Sequence, residues 1–325
     1  MSKKILSIQD ISCYGQCSLT VALPILSHYG IETVILPSAI LSTHTSGFKD
    51  FTVLDLTDEM PKIIDHWIKE GIQFDAIYTG YIGDVRQFDY ILLCKEKLLK
   101  KDGLFIVDPA MADHGKLYPA LNENIIYGMK KICSVADYII PNITEACFLC
   151  NIPYSLDADT NLLLKELYKL GAKNVILTGL SSKDTNIGAA HFDGNKITTY
   201  LTTKIEKSYH GTGDIFSSII VANILNENTI NMIKSRMVNK DSDNALKEKY
   251  EHDISYLSNY LSRIAIENQN NEEEDTGIST YTAFNHNAYL ASEMTKSSAY
   301  IDQYQDEQFY HLYQLLHSNQ LLLLM

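Results

Sequence analysis

From residue 1 to 225, short apolar runs alternate with amphipathic segments of helical length, and no other feature restricts the fold of this chain as tightly. The runs at 5–8, 33–36, 76–79, 104–107, 138–140 and 175–178 lack the regular polar alternation of a half-exposed strand. A strand that is apolar on both faces has to be covered on both, and helices alternating with such strands do this in a parallel sheet. Helical patterns lie between the runs. Residues 18–29 end at Gly30, and Thr57, Asp58, Glu59 and Pro61 open a helix that Gly71 stops. Residues 188–193 and 196–202 flank Asp193-Gly194-Asn195 and predict a hairpin at one sheet edge. The expected fold class is therefore α/β, three layers with helices on both faces of a mostly parallel central sheet.

After residue 225 the texture changes. Residues 226–249 are polar and Asn-rich, and 270–277 (NNEEEDTG) form an acidic run that reads as a solvated loop. Residues 253–266 and 309–316 have helical apolar spacing. Two parts are expected: a main domain over 1–225, and a helical segment over 226–325 that packs on it. The net charge of −13 argues against nucleic acid as a partner, because phosphate binding needs a basic footprint. The apolar start of MSKKILSIQD is too short for a signal peptide, and no run of about 18 apolar residues suits a membrane span. A cytoplasmic protein is expected. Cys13 and Cys17, and Cys147 and Cys150, have spacings that zinc could use, but no histidine lies close to either pair. Buried reduced thiols are the simpler reading.

Polar residues follow the predicted strands in turn. They are Gln9-Asp10, Gly80-Tyr81, Asp108-Pro109 with Asp113 just beyond, Asn142 with Thr144-Glu145, and Thr178-Gly179. In a parallel sheet the loops after the strands share one edge, where open α/β folds bind ligands. The stretch HGTGDIFSS (210–218) adds two glycines and a threonine directly before Asp214, at the start of an apolar helix. Read locally, Gly213 is a turn and Asp214 a cap. Read with the strand ends, Gly211, Thr212 and Gly213 expose backbone N–H groups to an anion, with a carboxylate beside them.

That set suits phosphoryl transfer to an alcohol, which needs a base at the attacking hydroxyl, N–H donors for the phosphoryl oxygens, and magnesium. Asp214 is the candidate base. Asp108, Asp113 and Glu145 are oxygen ligands of the type magnesium prefers, acting through water; the plainer readings are a turn before proline for Asp108 and a first-turn carboxylate for Glu145. His44 and Thr45, in LSTHTSGF, lie in a polar loop that can wall a substrate, although a lone histidine is more often just exposed. No GxxxxGK[ST] occurs and no GxGxxG follows a strand, which disfavours a P-loop or a dinucleotide-binding fold.

Together, Gly211-Thr212-Gly213-Asp214, Gln9-Asp10, Thr79-Gly80-Tyr81, Asp108-Pro109 and PNITE (141–145) resemble the ribokinase-like superfamily. SIQDISCYGQCSLTVALP, LSTHTSGF, YTGYIGD, VDPAMADHGKLY and PNITEA resemble its pyridoxal/pyridoxamine kinases over roughly residues 4–225. The resemblance implies a ribokinase-like domain without a separate lid and ATP-dependent phosphorylation of the 5′-hydroxymethyl group of a vitamin B6 vitamer. It implies Asp214 as base and Gly211–Gly213 as anion hole, with Asn142 and Thr178 near the ATP phosphates. Asp113 and Glu145 fall near magnesium, and Asp10, Thr45 and Tyr81 line the pyridine pocket. ATP and Mg2+ are the expected cofactors, with a monovalent cation such as K+ as a further candidate, and a homodimer is the expected assembly. Two departures stand out: Asp10 occupies a position where many members carry serine, and residues 226–252 and 270–325 do not follow the family pattern. The nearest alternatives are a hydroxymethylpyrimidine kinase and a non-catalytic vitamer- or nucleotide-binding protein of the same fold.

Overall fold

The computed structural model describes residues 3–225, apart from 46, 120, 156, 183–185 and 204–209. The expected helices at 253–266 and 309–316 and the acidic run at 270–277 lie outside the described residues. In chain order the elements are β1 (Lys4–Ser12), α1 (Leu19–His28), β2 (Glu32–Leu41), β3 (Val53–Asp55), α2 (Met60–Lys69) and β4 (Phe74–Thr79). There follow α3 (Gln87–Lys97), β5 (Leu99–Val107), β6 (Ala112–Asp113), β7 (Lys116–Leu117), α4 (Asn124–Cys133) and β8 (Tyr138–Ile139). The last are α5 (Ile143–Cys150), α6 (Thr160–Lys169), β9 (Asn174–Ser182), β10 (Asn186–Phe192), β11 (Ile197–Thr203) and α7 (Thr212–Leu225).

One sheet runs in the order β11-β10-β9-β8-β5-β4-β1-β2-β3. From β9 to β2 every neighbouring pair is parallel; β3, β10 and β11 are antiparallel additions at the two edges. Successive side chains of a strand point to opposite faces, so the apolar runs supply two cores at once. Leu6, Ile77 and Phe105 pack with Met60, Ile64, Phe88, Met129 and Leu164 from the α2–α6 side. Ile5, Ala76, Tyr78 and Ile106 pack with Ala22 and Leu26 of α1 and Val221, Ala222 and Leu225 of α7. Each large side chain fully buried this way contributes roughly 1.5–3 kcal/mol. The three-layer fold expected from the sequence is present, with no separate lid domain among the described residues.

The predicted hairpin is β10–β11, turned where Asp193 Oδ1 accepts the N–H groups of Asn195 (2.9 Å) and Lys196 (2.8 Å). Two features have no counterpart in the apolar pattern. Strand β3 is exposed along its whole length and exists through its pairing with β2. The two-residue pair β6–β7 turns at His114 and Gly115, both at positive φ (49° and 75°), the geometry of a tight I′-type hairpin. No helix of the described residues is long and apolar enough to cross a membrane.

Candidate active site

Strands β1, β4, β5, β8 and β9 deliver Asp10, Gly80-Tyr81, Asp108, Asn142 and Thr178 to the carboxyl edge of the sheet. Helix α7 starts beside them. The Ile215 N–H donates to the Gly211 carbonyl at 3.0 Å, so the amides that precede Ile215 face outward from the helix end. Gly211 sits at φ 77°, and a Cβ there would collide with the Gln16 carbonyl oxygen; only glycine fits. Gly213 is different. A Cβ there would meet nothing within 4 Å, so the backbone borders open space at a helix N-terminus. That is room for an anion.

Asp214 follows in the first turn of α7 and is half-buried. Its Oδ2 accepts the Ser18 N–H at 3.0 Å, a bond between residues 196 positions apart. Burial pushes its carboxyl up to about 6; the Ser18 N–H opposes the rise and the Asp10 charge adds to it. Asp10 is 3% exposed, and its Oδ2 accepts the Ser12 hydroxyl at 3.1 Å. Its pKa is also raised, chiefly by burial. The neighbouring Cys17 thiol is pushed up to about 12 by burial and then by Asp214 and Asp10, so it stays a thiol.

A second carboxylate group surrounds the start of α5. Asn142 caps the helix: its Oδ1 accepts the Glu145 N–H (2.9 Å), and Glu145 Oε2 accepts the Asn142 N–H (2.8 Å). Glu145 Oε1 also accepts the Met111 N–H at 3.2 Å. The Asn142 amide donates to the Ala112 carbonyl (2.8 Å), and Thr178 pairs with Asn142 as a parallel bridge. Asp108 is tied to α7, accepting the Ser217 hydroxyl at 2.6 Å. Burial raises the Asp108 carboxyl to about 7, the Ser217 bond works against that, and the Asp214 charge adds to it. Burial, then the Asp108 charge, holds Glu145 well above the usual carboxylate range. Asp113 is exposed on the β6–β7 turn, where its Oδ1 accepts the His114 N–H at 2.8 Å. Among the described residues no three His, Cys, Asp or Glu side chains converge as a direct metal shell.

His44 is 8% exposed rather than solvent-facing. Its ring lies 4.9 Å from Phe48 and 4.8 Å from His210, the residue directly before Gly211, and burial, then His210, lowers its pKa. Thr45, next to it, is half-buried. Tyr81 is half-buried, its ring 6.4 Å from that of Tyr118.

Four site neighbours lie in stretches already quoted but carry no role in the sequence reading: Ser18, Tyr118, His210 and Ser217. The Tyr118 hydroxyl is raised by burial and by the charges of Glu145, Asp108, Asp113 and Asp214. Ser217 carried a weak signal, three residues after Asp214 on a helix and so on the same face. Ser18 bonds Asp214 through its backbone N–H and Asp10 through its side chain, and no sequence spacing announces either contact.

Residues 23–234 match the model of the phosphomethylpyrimidine kinase family. The pyridoxal kinase of Dictyostelium discoideum is 30% identical over 248 residues, 70% of this chain and 80% of that protein. Among solved structures, a candidate phosphomethylpyrimidine kinase from Bacteroides thetaiotaomicron, crystallised with pyridoxal, superposes with a TM-score of 0.67 at 36% identity, covering 69% of this chain and 81% of that one. The pyridoxal kinase of Lactobacillus plantarum superposes with a TM-score of 0.64 at 28% identity, covering 77% and 98% respectively.

Proposed function

The chain belongs to the phosphomethylpyrimidine kinase family, among the pyridoxal kinases of the ribokinase-like superfamily, and from that premise we propose that it phosphorylates the 5′-hydroxymethyl group of a vitamin B6 vitamer with ATP. One observation carries the reading: Asp214, its carboxyl raised to about 6, sits in the same helical turn as Gly213, whose backbone borders open space. Near neutral pH such a carboxylate is ionised and still basic enough to take a proton from an alcohol. The alcohol oxygen attacks the γ-phosphorus, the bond from that phosphorus to the β,γ-bridging oxygen breaks, and ADP leaves. Asp214 takes the alcohol proton, and the amides of Gly211, Thr212 and Gly213 hold the transferring phosphoryl oxygens.

Asn142 and Thr178 are assigned to the ATP phosphates, and Asp10, His44, Thr45 and Tyr81 to the ring pocket. The acceptor set fits a hydrated magnesium ion. Asp108 and Glu145 are buried with raised pKa values and make no ion pair among the described residues, so no side-chain cation there favours their ionised forms and a bound metal ion would do so. Both Glu145 oxygens already accept backbone N–H groups, which favours contact through water rather than direct ligation. Asp113, on the exposed turn, would join from the open side. Magnesium would supply charge neutralisation at the phosphates. A cytosolic homodimer completes the reading, and light scattering on the purified protein would check the assembly.

The family model itself favours one second reading, a hydroxymethylpyrimidine kinase. The test is ATP turnover with Mg2+ against pyridoxal, pyridoxamine, pyridoxine and hydroxymethylpyrimidine. Turnover of a B6 vitamer that falls by about 10²-fold or more in Asp214→Asn supports the assignment. Turnover of the pyrimidine alone transfers it to the second reading, and none from folded protein sinks both.

A further inference from the structure

Strands β2 and β3 at the sheet edge, Tyr81 and the first residue of α3 enclose a cavity of about 190 Å3. That suits one small ring or its substituent, against the roughly 300–1,000 Å3 of a drug-sized pocket. Leu41, Phe51 and Val53 give it an apolar wall, and Asp55, Gln87 and Tyr81 its polar side. Gln87 is 1% exposed. Its Nε2 donates to the Ser38 carbonyl (3.0 Å) and to Thr57 Oγ1 (2.8 Å). A carbonyl oxygen only accepts, so Ser38 fixes which way the amide points. Gln87 Oε1 is left buried without a partner. Such an acceptor is costly unless water or a ligand supplies a donor.

Asp55 spends one carboxylate oxygen on the Thr57 N–H (2.6 Å) and is exposed at the mouth of the cavity. The Tyr81 hydroxyl is pushed up to about 12 by burial and then by the charges of Asp10 and Asp55, so it stays a neutral phenol. Among the described residues neither Asp10 nor Asp55 makes an ion pair; the second Asp55 oxygen and Gln87 Oε1 only accept, while the Tyr81 hydroxyl is the one side-chain group left over here that can also donate. An aldehyde would bring a further acceptor, which the Tyr81 hydroxyl alone could meet, and an alcohol one donor. An ammonium brings three donors and the missing positive charge.

We propose that this cavity receives the amine-bearing substituent of the acceptor ring, with Asp55 and Gln87 as specificity-determining residues, so that hydroxymethyl heteroaromatics carrying an ammonium or amino group are preferred to those carrying an aldehyde. The preference rests on the kinase reading; the cavity's selectivity for amines can be read without turnover.

The experiment compares kcat/KM for pyridoxamine and pyridoxal in wild type, Asp55→Asn and, as a charge control, Asp65→Asn on the exposed face of α2. Asparagine keeps an acceptor for the Thr57 N–H, so the fold is retained. The pyridoxamine-to-pyridoxal ratio falls about tenfold in Asp55→Asn, equivalent to about 1.4 kcal/mol, mainly through KM, and is unchanged in Asp65→Asn. Calorimetric titration with each vitamer, without ATP, reads the same preference as binding. A wild type that favours pyridoxal, or a ratio unmoved by Asp55→Asn in both assays, overturns the proposal. Tighter pyridoxamine binding that depends on Asp55, without phosphorylation of any vitamer, supports the cavity assignment and sinks the kinase reading. Turnover without an amine preference does the reverse.

Discussion

Replacing Gly213 by alanine should separate stability from turnover. A Cβ at Gly213 meets no atom within 4 Å, and the residue is not among the glycines at positive φ. The methyl group therefore strains nothing, and alanine in a first helical turn gains up to about 0.5–1 kcal/mol over glycine. For a domain of this size that moves Tm upward by at most about 4 °C. The same methyl group occupies the space assigned to the transferring phosphoryl group. Obstructing one oxyanion donor costs about 10²–10³ in kcat. Gly211→Ala provides the contrast, since its φ of 77° and the clash with the Gln16 carbonyl make it destabilising by about 1–3 kcal/mol. The assays are thermal unfolding and steady-state ATP turnover on both variants. A Gly213→Ala protein with wild-type kcat would show that the open space is not where the phosphoryl group sits, and the reasoning from that glycine would fail.

Two further predictions follow from the carboxylates. Asp108 has a folded-state pKa of about 7 against 3.8 for a free aspartate, so the folded form binds more protons between those values. The stability that this group contributes is complete below about pH 4 and is lost as pH rises to about 7. Denaturant unfolding of the ligand-free protein at a series of pH values should therefore show a larger loss over that range in wild type than in Asp108→Asn; identical profiles for the two would refute the burial of Asp108. Glu145→Ala leaves the Asn142 and Met111 N–H groups without their acceptor and should destabilise by about 1–3 kcal/mol, seen as a lower urea midpoint even without substrates. An unchanged midpoint would mean that the capping box contributes nothing to stability.

Much of the sheet could be read from the chain alone because burial on both faces imposes a composition that a short window reveals. Residues 76–79 and 104–107 are apolar without alternation because Ala76 and Ile106 feed one core while Ile77 and Phe105 feed the other. Strand β3 escaped that reading for the converse reason: all three of its residues are exposed, and its pairing with β2 selects for no side chain. The β6–β7 turn escaped because two-residue strands leave no period to detect.

The sequence by itself determined the layered α/β architecture, the residues that end each strand, and the glycine-flanked aspartate opening α7. Those are local properties, fixed by side-chain type and spacing. Tertiary structure alone decided the chemistry of the carboxylates. The Ser18 amide reaches Asp214 across 196 positions and Ser217 reaches Asp108 across 109, contacts set by the docking of α7 against α1 and beside the end of β5. The charges of four carboxylates reach Tyr118 because the β6–β7 turn brings it back to Met111, whose carbonyl accepts its N–H at 2.9 Å. Whether a carboxyl is a surface charge or a base poised near neutrality depends on the desolvation and the distant donors around it, and neither exists until the chain has folded.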